Sequence, residues 1–199
     1  MGLKKRPEDI PTKQAAAAVG QCELMYIYDK LFGEYHHTVS QLLITGDDTR
    51  SPERHRNFSN TLERLLELGA MPIINENDTV ATEELGIGDN DTLAAIVAES
   101  VRADLLILLS DIDGLYTADP RKHPEAVLLR EITEISDEVR ALAGVSGTSL
   151  GTGGMVTKLQ AAEICLSCGC TMVIANGDNA EALYDILDGK PVGTKFHVR

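Results

Sequence analysis

The sequence predicts an α/β domain: a three-layer αβα sandwich with a mainly parallel sheet between helical layers. Three observations lead there. Short apolar runs alternate with helix-patterned stretches along almost the whole chain, as parallel strands joined by helical crossovers require. The run Asp104-Leu105-Leu106-Ile107-Leu108-Leu109-Ser110 is apolar at nearly every position, so both faces of that strand need cover. Several apolar runs also empty into polar clusters, which then lie at the carboxyl ends of strands, where sheets of this class hold their ligands.

The elements follow in order. Pro11-Thr12 opens an alanine-rich helix from Lys13 that continues through Leu24, Tyr26, Ile27 and Leu31, with small residues at its start that permit close packing. His36-His37 reads as the start of a strand, Thr38 to Ile44 as the strand itself, and Gly46-Asp47-Asp48 as its end. Ser51-Pro52-Glu53 caps a second helix with Phe58, Leu62, Leu65 and Leu66 on one core face, ending at Gly69. Met71 to Ile74 is a short strand, Leu93 to Ala98 a helix, and Asp104 to Ser110 the buried strand. A turn at Thr117 to Arg121, an extended piece from Val127 to Ile132 and a helix from Ser136 to Leu142 come next. A helix from Met155 to Leu166, a strand from Thr171 to Ala175, a helix from Ala180 to Leu187 and a strand from Gly193 to His197 close the chain. With 199 residues, 43% of them hydrophobic, and no repeat or low-complexity linker, one domain over residues 1–199 is the simplest organisation.

Composition excludes several functions. A formal net charge of −13, 4% aromatic residues and no Trp argue against nucleic-acid and anionic-membrane partners. An anionic substrate would need locally placed lysines or helix termini. The cysteines Cys22, Cys165, Cys168 and Cys170 are too few for a secreted disulfide framework and read as reduced, cytosolic thiols. Cys165-x-x-Cys168-x-Cys170 lacks a fourth ligand at zinc spacing and reads as a helix end and a buried strand. Met1 to Pro7 leads into polar residues rather than an apolar targeting segment, so a cytoplasmic protein is expected.

Chemistry concentrates in four places. Gly151-Thr152-Gly153-Gly154-Met155-Val156-Thr157-Lys158 is a glycine-rich turn running into a helix with a lysine in its first turns, a pattern that favours a polyanion. It is neither a Walker A loop nor a dinucleotide fingerprint, and by itself is equally consistent with a mobile surface turn. Asn75-Glu76-Asn77-Asp78 and Gly88-Asp89-Asn90-Asp91 are polar bursts that suit either helix caps or substrate contacts. Ser110-Asp111-Ile112-Asp113-Gly114-Leu115-Tyr116 puts polar residues at a strand's carboxyl end again.

As an ordered set these motifs, with the continuation Thr117-Ala118-Asp119-Pro120, closely resemble the amino-acid kinase family, and within it the branch that phosphorylates glutamate. The resemblance runs from about Lys13 onward. It implies transfer of the ATP γ-phosphoryl group to the side-chain carboxylate of L-glutamate, with Mg²⁺ bridging the ATP phosphates. It implies further that Lys158 is catalytic and that Asp91 organises the catalytic lysines. Asp78 and Asn90 would bind glutamate. Ser110, Asp111, Thr152, Gly153 and Gly154, with Lys158, would bind ATP, and no residue is assigned to a metal. A homo-oligomer and feedback inhibition by proline, near the loop from Asn75 to Asp91, are further implications. The sequence departs from the family pattern in beginning after a Lys-Leu-Gly-Ser-like phosphate strand and a Ser-Gly-Ala turn. The expectation is therefore a domain incomplete at its N-terminus, short of a second lysine and weakly active or inactive by itself, with no RNA-modification-type C-terminal domain. Alternatives are an acyl-phosphate-forming relative acting on aspartate or acetylglutamate, and a non-catalytic nucleotide-binding fragment.

Overall fold

A computed structural model describes residues 2, 5, 7–82, 86–145 and 154–198. The chain divides into two compact units, Met1–Gly88 and Asp89–Arg199.

The first unit contains α1 (Ile10–Gly33), β1 (Thr38–Ile44), α2 (Gly46–Arg50), α3 (Pro52–Glu67) and β2 (Ala70–Glu76). β1 and β2 pair in parallel, from Thr38 opposite Ala70 to Ile44 opposite Glu76. α1 starts earlier than the sequence suggests: Asp9 is its cap, accepting a hydrogen bond from the Thr12 N–H at 2.9 Å, and Pro11 lies in the first turn, where no backbone donor is needed. No residue of α1 is buried, contrary to the close packing expected from its alanines. Val19, Tyr26, Ile27 and Leu31 are each about half exposed. α3 buries Phe58 and Leu62 as its stripe predicts, whereas Leu66 stands 52% exposed. His36 belongs to a turn with φ 61° rather than to the strand. Gly46-Asp47-Asp48 ends β1 and forms a further short helix, α2, in which the Asp48 carboxylate accepts from both the N–H and the hydroxyl of Thr45 at 2.7 Å.

The second unit contains α4 (Asn90–Ser100), β3 (Leu105–Ser110), β4 (Glu131–Ile132), α5 (Asp137–Val145), α6 (Met155–Cys168), β5 (Thr171–Asn176), α7 (Ala182–Leu187) and β6 (Thr194–Phe196). Its sheet runs β3-β5-β6-β4. β3 pairs with β5 and β4 with β6 in parallel, while β5 and β6 are antiparallel. The sheet is thus mainly but not wholly parallel. The extended piece from Val127 to Ile132 supplies only the short strand β4 and an isolated bridge between Tyr116 and Leu128.

Side-chain alternation along β5 divides the unit into layers. Met172 and Ile174 point into the main core with Leu159, Ala162 and Cys165 of α6 and Ala95 and Ala98 of α4. Val173 and Ala175 point to the other face, where they meet Ile186 of α7. The two-residue period of a strand covered on both faces makes this a helix–sheet–helix unit, as expected. Cys165 and Cys170 are buried at the end of α6 and the start of β5, and Cys168 is exposed.

Gly114 shows why the Asp-Gly-Leu-Tyr run needs its glycine. At φ 152°, an added Cβ would collide with Thr194 Oγ1. That hydroxyl is fully buried and accepts from the Leu115 N–H at 2.8 Å while donating to the Leu129 carbonyl at 2.6 Å, tying three segments together. Among the described residues no helix is long and apolar enough to cross a membrane.

Candidate functional site

In the second unit, two helix N-termini meet. Asp89 caps α4, its carboxylate accepting from the Thr92 N–H at 2.8 Å and from the Thr92 hydroxyl at 2.9 Å. This fixes the first turn, in which Asp91 projects and Asn90 stands exposed. Asp91 Oδ2 accepts from the Thr157 hydroxyl at 2.7 Å and from Lys158 Nζ at 3.1 Å. The Thr157 hydroxyl also lies 2.8 Å from the Gly154 carbonyl, but it has one proton, and the carboxylate is the stronger acceptor.

The Lys158 and Asp91 side chains are 10% and 17% exposed, so the pair is largely shielded from solvent. An ammonium has three donors, and Asp91 engages one of them. Gly154 is the N-cap of α6, and no side chain among the described residues caps that end. The first-turn N–H groups of α6 consequently lie beside the lysine with no intrahelical acceptor. Uncapped N–H groups and an oriented ammonium fit a phosphate group on both geometry and charge. Gly154 is thereby placed with Lys158. Thr152 and Gly153 lie outside the described residues.

Ser110 ends β3 with its hydroxyl donating to Asp111 at 3.2 Å, opposite Asn176 of β5. Nearby, Asp113 accepts from the Asn176 amide and the Tyr116 hydroxyl, both at 2.9 Å. These two bonds, Asn176 first, hold the Asp113 carboxyl below the ordinary carboxylate range. Ser110 and Asp111 thus sit at the carboxyl edge of the sheet.

In the first unit, the polar burst begins inside the sheet, because β2 continues through Asn75 and Glu76. The Asn75 amide donates to Gln21 Oε1 of α1 at 3.1 Å. Glu76 clamps the following loop: its two oxygens accept from the Ile87 N–H at 2.6 Å and the Gly88 N–H at 3.2 Å. Gln14 of α1 donates to the Ala81 carbonyl at 3.3 Å. Between α1 and this loop lies a cavity of about 470 Å³ whose walls include Lys13, Ala17, Glu76 and Asp78. Partial burial, and secondarily the Glu76 charge, push the Asp78 carboxyl above its ordinary value.

Sequence reasoning singled out Asp91, Lys158, Asp78 and Asn90 but passed over the residues that position them. Thr157 directly precedes the lysine, and Gln14 and Gln21 recur along one face of α1 at seven-residue spacing, so signals were present.

The amino acid kinase family model matches residues 1–176, and the chain belongs to that family. Two curated relatives are the glutamate 5-kinases of Clostridium perfringens and Listeria innocua. The first is 52% identical over 98% of this chain and 74% of its own length. The second is 54% identical over 98% of this chain and 72% of its own length. Among solved structures, carbamate kinase from Giardia lamblia bound to AMP-PNP aligns with a TM-score of 0.64 at 16% identity, over 96% of this chain and 80% of that one. The T. acidophilum isopentenyl phosphate kinase product complex gives 0.61 at 23% identity, over 89% of this chain and 67% of that one. At those identities the structural likenesses establish the fold alone.

Proposed function

We infer that this chain is a glutamate 5-kinase, an ATP-dependent phosphotransferase that phosphorylates the side-chain carboxylate of L-glutamate and so serves proline biosynthesis. The observation that carries the chemistry is the Asp91–Thr157–Lys158 arrangement at the start of α6. Identity above one half with named glutamate 5-kinases supports the choice of substrate.

The acceptor carboxylate is ionised at neutral pH, with an ordinary side-chain value of about 4.3, so no general base is needed. Its oxygen forms a bond to the γ-phosphorus while the bond from that phosphorus to the bridging β,γ-oxygen breaks, and ADP leaves. Such a transfer depends on positioning and on neutralising charge over the equatorial oxygens. Lys158 is assigned the neutralising role, with Asp91 and Thr157 holding its ammonium in one orientation. The α6 N–H groups, Gly154, Ser110 and Asp111, with Thr152 and Gly153, are assigned to ATP. Asp78 and Asn90 are assigned to glutamate. Mg²⁺ would be held chiefly by phosphate oxygens and water, where it supplies further charge neutralisation. Assembly as a homo-oligomer in the cytoplasm and inhibition by proline belong to the same proposal.

Given ATP, Mg²⁺, L-glutamate and hydroxylamine, the chain joined to an upstream segment that bears a Lys-Leu-Gly-Ser-like strand should yield glutamyl hydroxamate, and the chain by itself little or none. L-Aspartate and N-acetylglutamate should yield less. No product from glutamate by the extended form, or a preference for aspartate, would refute the reading.

A further inference from the structure

The loop that leaves β3 with Ser110 and Asp111 is held by a residue from the last strand of the second unit. β6 runs antiparallel to β5, with Thr194 opposite Ile174. Thr194, the first residue of β6, therefore lies at the edge of the sheet where the parallel strands β3 and β5 end, with Ser110 opposite Asn176. Gly193 permits this approach: its φ is 66°, and a Cβ there would collide with the Ile174 carbonyl.

Hydrogen bonds fix the loop along its length. The Gly177 N–H donates to the Ser110 carbonyl at 2.8 Å, and the Leu129 N–H to the Leu115 carbonyl at 2.9 Å. The Asn176 amide donates to Asp113 at 2.9 Å. Thr194 Oγ1, fully buried, accepts from the Leu115 N–H at 2.8 Å and donates to the Leu129 carbonyl at 2.6 Å. A hydroxyl suits this place because Leu115 needs an acceptor and Leu129 a donor. Gly114 and Leu115 are buried beneath the loop, whereas Asp111 is exposed. Among the described residues the Ser110 and Asp111 side chains bond only to each other. A fixed backbone thus presents two polar side chains with spare hydrogen-bonding capacity at the carboxyl edge of a parallel strand pair, where such sheets take ligands.

We propose that Thr194 is a positioning residue for the nucleotide: by holding the Leu115 N–H it fixes the loop that presents Ser110 and Asp111 to ATP. The proposal rests on the assignment of Ser110 and Asp111 to ATP.

Calorimetric titration of ATP with Mg²⁺ into the wild-type chain, T194V, T194S and F196L provides the test. Valine keeps the shape of threonine but strands the Leu115 N–H and the Leu129 carbonyl. T194V should bind ATP about fivefold or more weakly at unchanged stoichiometry, the factor that one displaced hydrogen bond gives. T194S keeps the hydroxyl and should bind within about twofold of wild type. Phe196 is fully buried on the same strand, so F196L should lower the melting temperature. Its affinity should stay within about twofold of wild type, because lost folding removes sites without weakening those that remain. In the extended form, T194V should raise the KM for ATP by a similar factor and leave the KM for glutamate within about twofold. Wild-type affinity in T194V would overturn the proposal, as would a T194V that does not fold, which would show that the hydroxyl serves the fold alone. So would T194S or F196L weakened as much as T194V, or no ATP binding by wild type. The hydroxylamine trap decides the kinase reading separately: ATP binding that depends on Thr194, without hydroxamate from the extended form, would remove that reading and support the role of Thr194.

Discussion

Replacing Lys158 by methionine probes the charge pair at the start of α6. The two charges meet at 3.1 Å with side chains 10% and 17% exposed. At an effective dielectric constant of about 20, that separation corresponds to roughly 5 kcal/mol of gross Coulomb attraction. Most of it offsets the cost of withdrawing both charges from water. Removing the lysine leaves the Asp91 carboxylate with the Thr157 hydroxyl as its remaining partner among the described residues. K158M should therefore lose about 1–3 kcal/mol of stability. Neutralising the carboxylate too removes the stranded charge, so D91N/K158M should be more stable than K158M. Activity should behave differently. One oriented donor to a developing negative charge contributes about 10²–10³ in rate, so K158M should fall to roughly 1% of wild-type hydroxamate formation or below. D91N should lower kcat with little change in the KM for glutamate, since Asp91 acts through the lysine. Thermal melts and initial rates on wild type, both single variants and the double variant separate the two effects. K158M retaining more than about a tenth of wild-type activity would refute the assigned role, and a double variant less stable than K158M would refute the energetics.

Other expectations follow from single contacts. E76Q removes one of two charge-assisted acceptors for the loop N–H groups; amide exchange at Ile87 and Gly88 should accelerate while α6 stays protected. G114A places a methyl group against Thr194 Oγ1 and should cost at least about 2 kcal/mol in chemical denaturation. Cys22 and Cys168 are exposed, whereas burial pushes the Cys165 thiol to about 12 and the Cys170 thiol upward, so an aromatic disulfide reagent at neutral pH should titrate the first pair quickly and the second only on unfolding. Asp113 is depressed in the folded state by Asn176 and Tyr116, so its stabilising contribution is present above the unfolded value of 3.8 and disappears as pH falls through the lower folded value. D113N should thus be less stable than wild type at pH 7 and should approach it in acid, as read from denaturation midpoints across that range.

How much of this was legible in the sequence depends on which physical constraint acted at each residue. β3 and β5 were readable because a strand covered on both faces leaves polar residues no place: Leu105 and Ile107 face one layer, Leu106 and Leu108 the other. Asp91 and Lys158 were found only as members of separate motifs. Their contact spans 67 positions, and nothing in local periodicity encodes it. Thr157 went unnoticed for the same reason, its partner being on α4 rather than α6. The alanines of α1 illustrate the opposite case. They report helix propensity faithfully, yet propensity says nothing about cover, and no residue of that helix is buried. The polar bursts, ambiguous between caps and ligand contacts, divide between those uses: Asp89 caps α4 and Glu76 clamps a loop, while Asp78 accepts no hydrogen bond among the described residues. A cap requires an acceptor within reach of N–H groups two or three residues ahead, which Asp89 meets with Thr92. Asp78 has no such bond, and its ionised form is disfavoured where it stands. A carboxylate kept beside another carboxylate with neither donor nor cation is best accounted for by a cationic ligand. D78N should therefore weaken glutamate binding about tenfold or more without lowering the melting temperature. A destabilised D78N with unchanged affinity would show instead that this carboxylate serves the fold.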